Sequence, residues 1–174
     1  MINIVELSHK LLEEFDNPNV AIDMTCGNGY DSLFLAKKAK NVYAFDIQDE
    51  AINNTLKLLE ENQIHNVTVI KESHDLFDIF VSEKFDLAIY NLGYLPSGNR
   101  DIKTDARIVI NSLEKALEMM NINAIIVIVI YLHDNDESDK ITNLVSKLDK
   151  NYDVTRYQVL NKQKSPYIIK ISKP

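Results

Sequence analysis

One cysteine, Cys26, in a chain of 174 residues excludes an internal disulfide framework and a cysteine-based zinc site, and no metal is expected. Long apolar runs are missing too. The longest, Ala124 to Leu132, is less than half the roughly 20 residues that a membrane helix needs. The N-terminal stretch has no run of signal-peptide length, being interrupted by Glu6, His9, Lys10, Glu13 and Glu14. These absences predict a soluble, cytoplasmic protein with no membrane partner. Nor is there a cationic excess. A net charge of −7 argues against a nonspecific DNA binder, because a uniformly acidic surface repels a polyanion. The 45% hydrophobic and 26% charged residues that are present suit one globular domain over residues 1–174, long enough to bury a core.

The charge is uneven along the chain. Residues 1–139 hold 24 acidic and 11 basic side chains, whereas residues 140–174 hold 2 acidic and 8 basic. One reading is a solvated, lysine-decorated end of the molecule. The other is a local basic face that meets an RNA backbone.

Hydrophobic patterning alternates between helical and strand periods. Residues 3–15 place Ile4, Leu7, Leu11, Leu12 and Phe15 at helical spacing. Strands are predicted at 20–24, 42–46, 67–70, 85–91, 124–130, 152–160 and 167–171. Helices are predicted from near Tyr30, through the segment holding Ala51 to Leu59, over about 105–119 and near 137–149, with a short helix or loop at 74–81. Alternating strands and helices imply a doubly wound, mostly parallel seven-stranded α/β sheet. The last two strands have no helix between them, so an antiparallel pair is expected at one edge. This is the arrangement of the Rossmann-like class I methyltransferases.

Glycine is scarce, and its placement is informative. The four glycines fall in two loops: Gly27 and Gly29 after the first strand, Gly93 and Gly98 after the fourth. Both loops lie at carboxyl ends of strands, where open α/β sheets bind ligands. The turn Thr25-Cys-Gly-Asn-Gly29 exposes backbone N–H groups to a polar ligand. Asp46, 19 residues beyond Gly27 and at the end of the second strand, can accept hydrogen bonds from ribose hydroxyls. NAD would suit the same features, since Ser32 can stand for the third small residue of the dinucleotide pattern. The fourth-strand loop separates the cofactors. Asn91-Leu-Gly-Tyr94 resembles the Asn-Pro-Pro-Tyr type motif of methyltransferases acting on nitrogen. There the Asn side chain and the next carbonyl hold an amine while the Tyr packs on a planar ring; a strand-capping Asn beside a surface Tyr is the plainer alternative.

Taken together, Asp23-Met-Thr-Cys-Gly-Asn-Gly-Tyr-Asp31, Phe45-Asp-Ile-Gln48, Glu72-Ser-His-Asp75 and Asn91-Leu-Gly-Tyr-Leu-Pro96 resemble the YtqB family, assigned as MnmM tRNA methyltransferases. The resemblance continues through Ile102-Lys-Thr104 and Ser165-Pro-Tyr-Ile168. It implies methyl transfer from S-adenosylmethionine to the exocyclic amine of an aminomethyl-thiouridine at the tRNA wobble position. It also implies that Thr25, Gly27, Asn28, Gly29 and Asp31 surround the methionine moiety, Asp46 and Gln48 the ribose and adenine edge, and Ser73 and His74 the adenine, with Asn91 and Gly93 near the transferred methyl. The chain departs from the family at Tyr30, often His, and at Cys26, often Met. Ser97 and Asn99 stand where Gly and Asp are usual, and Tyr131-Leu-His-Asp134 matches only loosely.

Asn91 and the Leu92 carbonyl are therefore the expected amine clamp, with Tyr94 stacking on the uracil ring. The acceptor side so read comprises Tyr94, Pro96, Arg100, Lys103, Thr104, Tyr131 and His133. Tyr131 and His133 would relay the released proton, a part His74 could also take. Arg107, Lys162 and Lys164 join Arg100 and Lys103 as phosphate contacts in the tRNA anticodon region. His9 and His65 read as ordinary surface residues. Cys26 sits in the cofactor turn with no base suggested nearby, which disfavours a nucleophilic role. Other readings stay open: a methyltransferase acting on ribosomal RNA or a protein amide, a noncatalytic nucleotide-binding module, and an NAD-dependent oxidoreductase. With no separate RNA-binding domain visible, either the catalytic face grips a small RNA element or a homodimer supplies the extra area.

Overall fold

The computed structural model describes residues 3–93, 105–132 and 135–174. Among these, seven strands form one sheet in the order β3-β2-β1-β4-β5-β7-β6. The strands are β1 (Val20–Asp23), β2 (Asn41–Asp46), β3 (Val67–Lys71), β4 (Phe85–Asn91), β5 (Met120–Ile130), β6 (Asp153–Gln158) and β7 (Tyr167–Ser172). The helices are α1 (Ile4–Leu12), α2 (Tyr30–Ala36), α3 (Asp49–Glu61), α4 (Phe77–Phe80), α5 (Ala106–Met119) and α6 (Asn135–Val145). A 3₁₀ turn over His74–Leu76 precedes α4.

Local chemistry accounts for the helix ends. Asn3 caps α1 by accepting the Val5 N–H at 3.0 Å, and Asp105 caps α5 by accepting the Arg107 N–H at 2.9 Å. Glu6 stands in the first turn of α1 and His9 and Lys10 in its last, the charge order that the helix dipole favours. The central strands β1, β4 and β5 are almost wholly buried because helices cover both faces of the sheet. One core layer joins Phe77, Val109, Leu113, Ile141 and Val145 to one sheet face; the other joins Leu11, Leu12, Leu35 and Ala36 to the opposite face.

The antiparallel pair stands at one edge. β7 runs against β5 and β6 runs against β7, so the reversed strand lies one place in and β6 is outermost. As an edge strand β6 is mostly exposed and shorter than its apolar pattern predicts; Leu160, beyond its end, is 91% exposed. At the other extreme β5 begins at Met120, four residues earlier than the apolar run. Met120 pairs with Phe85, and a register shift between Phe85 and Leu87 absorbs the polar residues that follow.

The topology places the two glycine loops side by side. Strand order reverses between β1 and β4, and Asp23 lies opposite Ile89 in their parallel register. Two residues onward, Thr25 and Asn91 therefore emerge together at the carboxyl edge, at the switch point where such sheets bind ligands.

Candidate active site

The glycine turn is tied to three neighbouring elements. The Cys26 N–H donates to the Phe45 carbonyl at 2.8 Å, and the Gly29 N–H donates to the Cys26 carbonyl at 2.7 Å, closing the turn. Asp46 receives the Gly27 N–H at 3.1 Å on one carboxylate oxygen and the Gln48 N–H at 3.0 Å on the other. The carboxylate at the end of β2 thus fixes the loop after β1. From α3, Thr55 Oγ1 donates to the Gly27 carbonyl at 3.1 Å and Asn54 Nδ2 to Asn28 Oδ1 at 2.9 Å. Gly27 and Gly29 both adopt positive φ, 52° and 87°. These conformations cost glycine nothing.

The fourth-strand loop meets this turn directly. The Asn91 N–H donates to Thr25 Oγ1 at 2.8 Å, and Asn91 Nδ2 donates to Asp31 Oδ2 at 3.1 Å. The other oxygen of Asp31 lies 2.6 Å from His9 Nε2. His9, read from the sequence as a surface residue, is instead stacked on Phe34 with ring centroids 3.9 Å apart and joined to the site. His65 is exposed. Beside Asn91, a Cβ on Gly93 would come 3.2 Å from the Tyr131 ring, so Tyr131 lines the same corner. The Tyr131 hydroxyl is pushed to a higher pKa by burial and by the charge of Asp31.

Three carboxylates converge behind this surface. Asp23 is fully buried and accepts from Ser32 Oγ at 2.6 Å and from the Thr25 N–H at 3.1 Å. Burial foremost, then the charges of Asp31 and Asp46, push it up to about 8. A bound cation would relieve that repulsion. Cys26 is also buried, and burial together with Asp23 raises its thiol pKa. The thiolate is disfavoured, which argues against nucleophilic use.

His74 turns into the core. It is 7% exposed, lies edge-on to Tyr90 at 5.5 Å between centroids, and has both ring nitrogens buried without a partner among the described residues. Burial lowers its pKa to about 4. Such a weak base is poorly matched to collecting a proton near neutral pH. Ser73, next to it, donates to Asp75 Oδ1 at 2.5 Å. Tyr94, Pro96, Arg100, Lys103, Thr104 and His133 lie outside the described residues.

The two shifted groups act on stability with opposite signs. Folded Asp23 holds its proton up to about 8, whereas the unfolded carboxyl releases it near 3.8, so this group's stabilisation falls as pH rises between those values. His74 binds its proton more weakly when folded, so its contribution is lost as pH falls from 6.5 toward 4. Urea titrations should therefore show Asp23→Asn flattening the decline above pH 6.5, and His74→Phe flattening the loss below it. An unchanged slope in either variant would contradict that assignment.

A doubly wound sheet with a glycine turn, a strand-end acid and a polar fourth-strand loop at its switch point defines a class I, S-adenosylmethionine-dependent methyltransferase. Comparison with known proteins narrows the class. The profile of the putative rRNA methylase family matches residues 42–173, and this chain belongs to that family of RNA methyltransferases. A crystal structure of a putative methyltransferase from Streptococcus mutans in complex with S-adenosylhomocysteine is 37% identical, with a TM-score of 0.94, covering 100% of this chain and 99% of that one. A structure of a putative rRNA methylase from Clostridium thermocellum is 33% identical, with a TM-score of 0.95 over 100% of this chain and 99% of that one. The chloroplastic tRNA (mnm5s2U34)-methyltransferase of Arabidopsis thaliana is 27% identical over 94% of this chain and 67% of its own length.

The sequence pointed to the residues of both loops but not to the groups that brace them. His9, Asn54 and Thr55 come from α1 and α3. His9 lies one helical turn from Val5 and Leu12, apolar residues four and three positions away, and this spacing was the available signal.

Proposed function

We propose that this protein methylates the exocyclic amine of an aminomethyl (thio)uridine at the wobble position of tRNA, forming methylaminomethyl. The observation that carries the reading is the joining of Asn91 to both Thr25 and Asp31. The residue suited to clamping an amine is thereby seated on the cofactor turn. The name of the Arabidopsis relative supports the same acceptor.

The residues present fit S-adenosylmethionine. Asp31 and Asp46, whose charges raise the pKa of Asp23, favour a cationic ligand, and the buried nitrogens of His74, without a partner among the described residues, are suited to the polar edge of a base. Thr25, Gly27, Asn28, Gly29 and Asp31 would hold the methionine end, Asp46 and Gln48 the ribose side, and Ser73 and His74 the adenine. When bound, the cofactor supplies an electrophilic methyl group for in-line displacement. The protein's task is then to deliver a neutral nitrogen on that line. A free alkylamine resembles lysine, with a pKa of about 10, and is mostly protonated in water. A desolvated corner bounded by Tyr131 and Leu92 favours the neutral form. Asn91 Oδ1 and the Leu92 carbonyl are acceptors for the amine hydrogens, and Tyr94 is the stacking partner for the uracil.

For the RNA backbone, exposed Lys162 and Lys164 between β6 and β7 are the clearest described candidates, while Arg107 is tied to Asp105 at 2.8 Å. Lys162→Glu with Lys164→Glu should weaken tRNA binding several-fold at low salt and reduce the slope of log affinity against log salt by about 1–2. Unchanged affinity and slope in a filter-binding titration would remove this face from the interface. The reading as a whole is tested by mass spectrometry of nucleosides from tRNA carrying aminomethyl uridine, after incubation with protein and methyl-labelled cofactor. Label in methylaminomethyl uridine is expected; label confined to ribosomal RNA, or none, would overturn it.

A further inference from the structure

A continuous polar chain runs from the acceptor loop to the first helix: Asn91 Nδ2 to Asp31 Oδ2 at 3.1 Å, then Asp31 Oδ1 to His9 Nε2 at 2.6 Å. An ionised carboxylate only accepts hydrogen bonds, so the Asn91 atom facing it must be the amide nitrogen. Turning the amide over would set two oxygens against each other. Asn91 Oδ1 is therefore directed away from Asp31, toward Gly93, where an added Cβ would stand 3.8 Å from it. Gly93, on that side, is exposed. What fixes Asn91 is thus the position of Asp31, and what fixes Asp31 is its second partner.

That partner is rigidly mounted. The His9 ring lies parallel to Phe34, with 5° between planes, and its side chain is only 21% exposed against 7% for Asp31. Phe34 and Asp31 both belong to α2, so the stack and the hydrogen bond lock α1 to the helix that starts at the cofactor turn. Without His9, Asp31 Oδ1 would lose its donor, and the carboxylate would be free to rotate away from Asn91.

We propose that His9 is a positioning residue for methyl transfer: through Asp31 it holds the Asn91 amide with Oδ1 presented to the acceptor nitrogen. The proposal rests on the reading of Asn91 as the amine clamp. The test uses the full-length protein with His9→Leu, which fills the space without a donor, and His9→Gln, whose Nε2 can reach the carboxylate. For tRNA methylation, His9→Leu should lower kcat on the order of tenfold or more, with KM for tRNA little changed. His9→Gln should restore most of the loss. A readout independent of turnover is the ¹⁵N side-chain resonance of Asn91 in substrate-free protein, assigned by its disappearance in Asn91→Ala. It should shift and exchange faster with water in His9→Leu but stay near its wild-type position in His9→Gln.

A folded His9→Leu protein with wild-type kcat, an Asn91 resonance indifferent to it, or His9→Gln as impaired as His9→Leu would each overturn the proposal. Should His9→Leu lower the melting temperature, His9→Phe keeps the aromatic stack and serves the same comparison. If wild-type protein leaves aminomethyl uridine unmethylated, the proposed substrate is wrong, and the Asn91 resonance still decides the role of His9.

Discussion

Asn91→Ala should lower kcat for tRNA methylation on the order of a hundredfold while cofactor affinity stays within about threefold. The asymmetry follows from where the side chain is held. Its backbone N–H bonds to Thr25 Oγ1 and survives the substitution, so the seam between the loops after β1 and β4 stays closed. What disappears is the amide whose nitrogen is satisfied by Asp31 and whose oxygen is the proposed partner of the acceptor. A misaligned amine still collides with the methyl group but seldom along the displacement line. Single-turnover kinetics with saturating cofactor measure this directly. A variant that binds cofactor normally and turns over at the wild-type rate would eliminate the clamp.

Gly29→Ala is expected to be the most damaging single substitution in the cofactor turn. Gly29 has φ 87° and precedes α2 as its cap. An alanine pays about 1–2 kcal/mol for the left-handed conformation. The added Cβ would also sit 2.9 Å from Thr55 Cα, a backbone atom of α3 that cannot rotate aside. Overpacking of this kind adds about 1–3 kcal/mol. A total near 3 kcal/mol corresponds to roughly 6–12 °C in Tm for a domain of this size. Forcing α3 away would also strip the Thr55 hydrogen bond from the Gly27 carbonyl, so cofactor affinity should fall along with stability. Gly93→Ala makes the contrast: among the described residues its Cβ would meet side chains and no backbone, Tyr131 Cε2 at 3.2 Å and Asn91 Oδ1 at 3.8 Å, so activity should drop with little change in Tm. Equal melting temperatures for Gly29→Ala and wild type would refute the packing argument.

The glycine at 29 is thus demanded by the protein's own packing as well as by its backbone conformation. Reading the turn from the sequence captured the conformational need and missed the helix behind it. The same division holds across the chain. Alternating apolar periods located every strand of the sheet, because burial on both faces leaves runs such as Ala124 to Ile130 with no polar interruption. Where burial is one-sided or absent the pattern blurred: β6 ended sooner, β5 began sooner, and α6 stops at Val145, several residues short of the helical pattern.

Within the site, Gly27, Gly29, Asp46 and Asn91 were legible because each sits at or just beyond the carboxyl end of a strand, where chain order alone implies a shared edge. His9 was not, since its partner is 22 residues away on another helix. Neither were Asn54 and Thr55, which lie within a helix whose apolar spacing carries no mark of the loop it braces. His74, expected beside the adenine or as a proton relay, is carried by the 3₁₀ turn beneath β4 against Tyr90, a burial that its polar tetrapeptide does not signal. Tertiary packing, not local composition, decides such cases.

The proposed function requires cofactor and acceptor nitrogen to meet at the β1–β4 switch point. Calorimetric binding of an S-adenosylhomocysteine analogue bearing an amine where the methyl would be attached tests this most directly. Wild-type protein should bind the amine analogue more tightly than S-adenosylhomocysteine itself, and Asn91→Ala should erase that advantage while leaving S-adenosylhomocysteine binding unchanged. Equal affinities of wild-type protein for the two ligands, or an advantage untouched by Asn91→Ala, would contradict it.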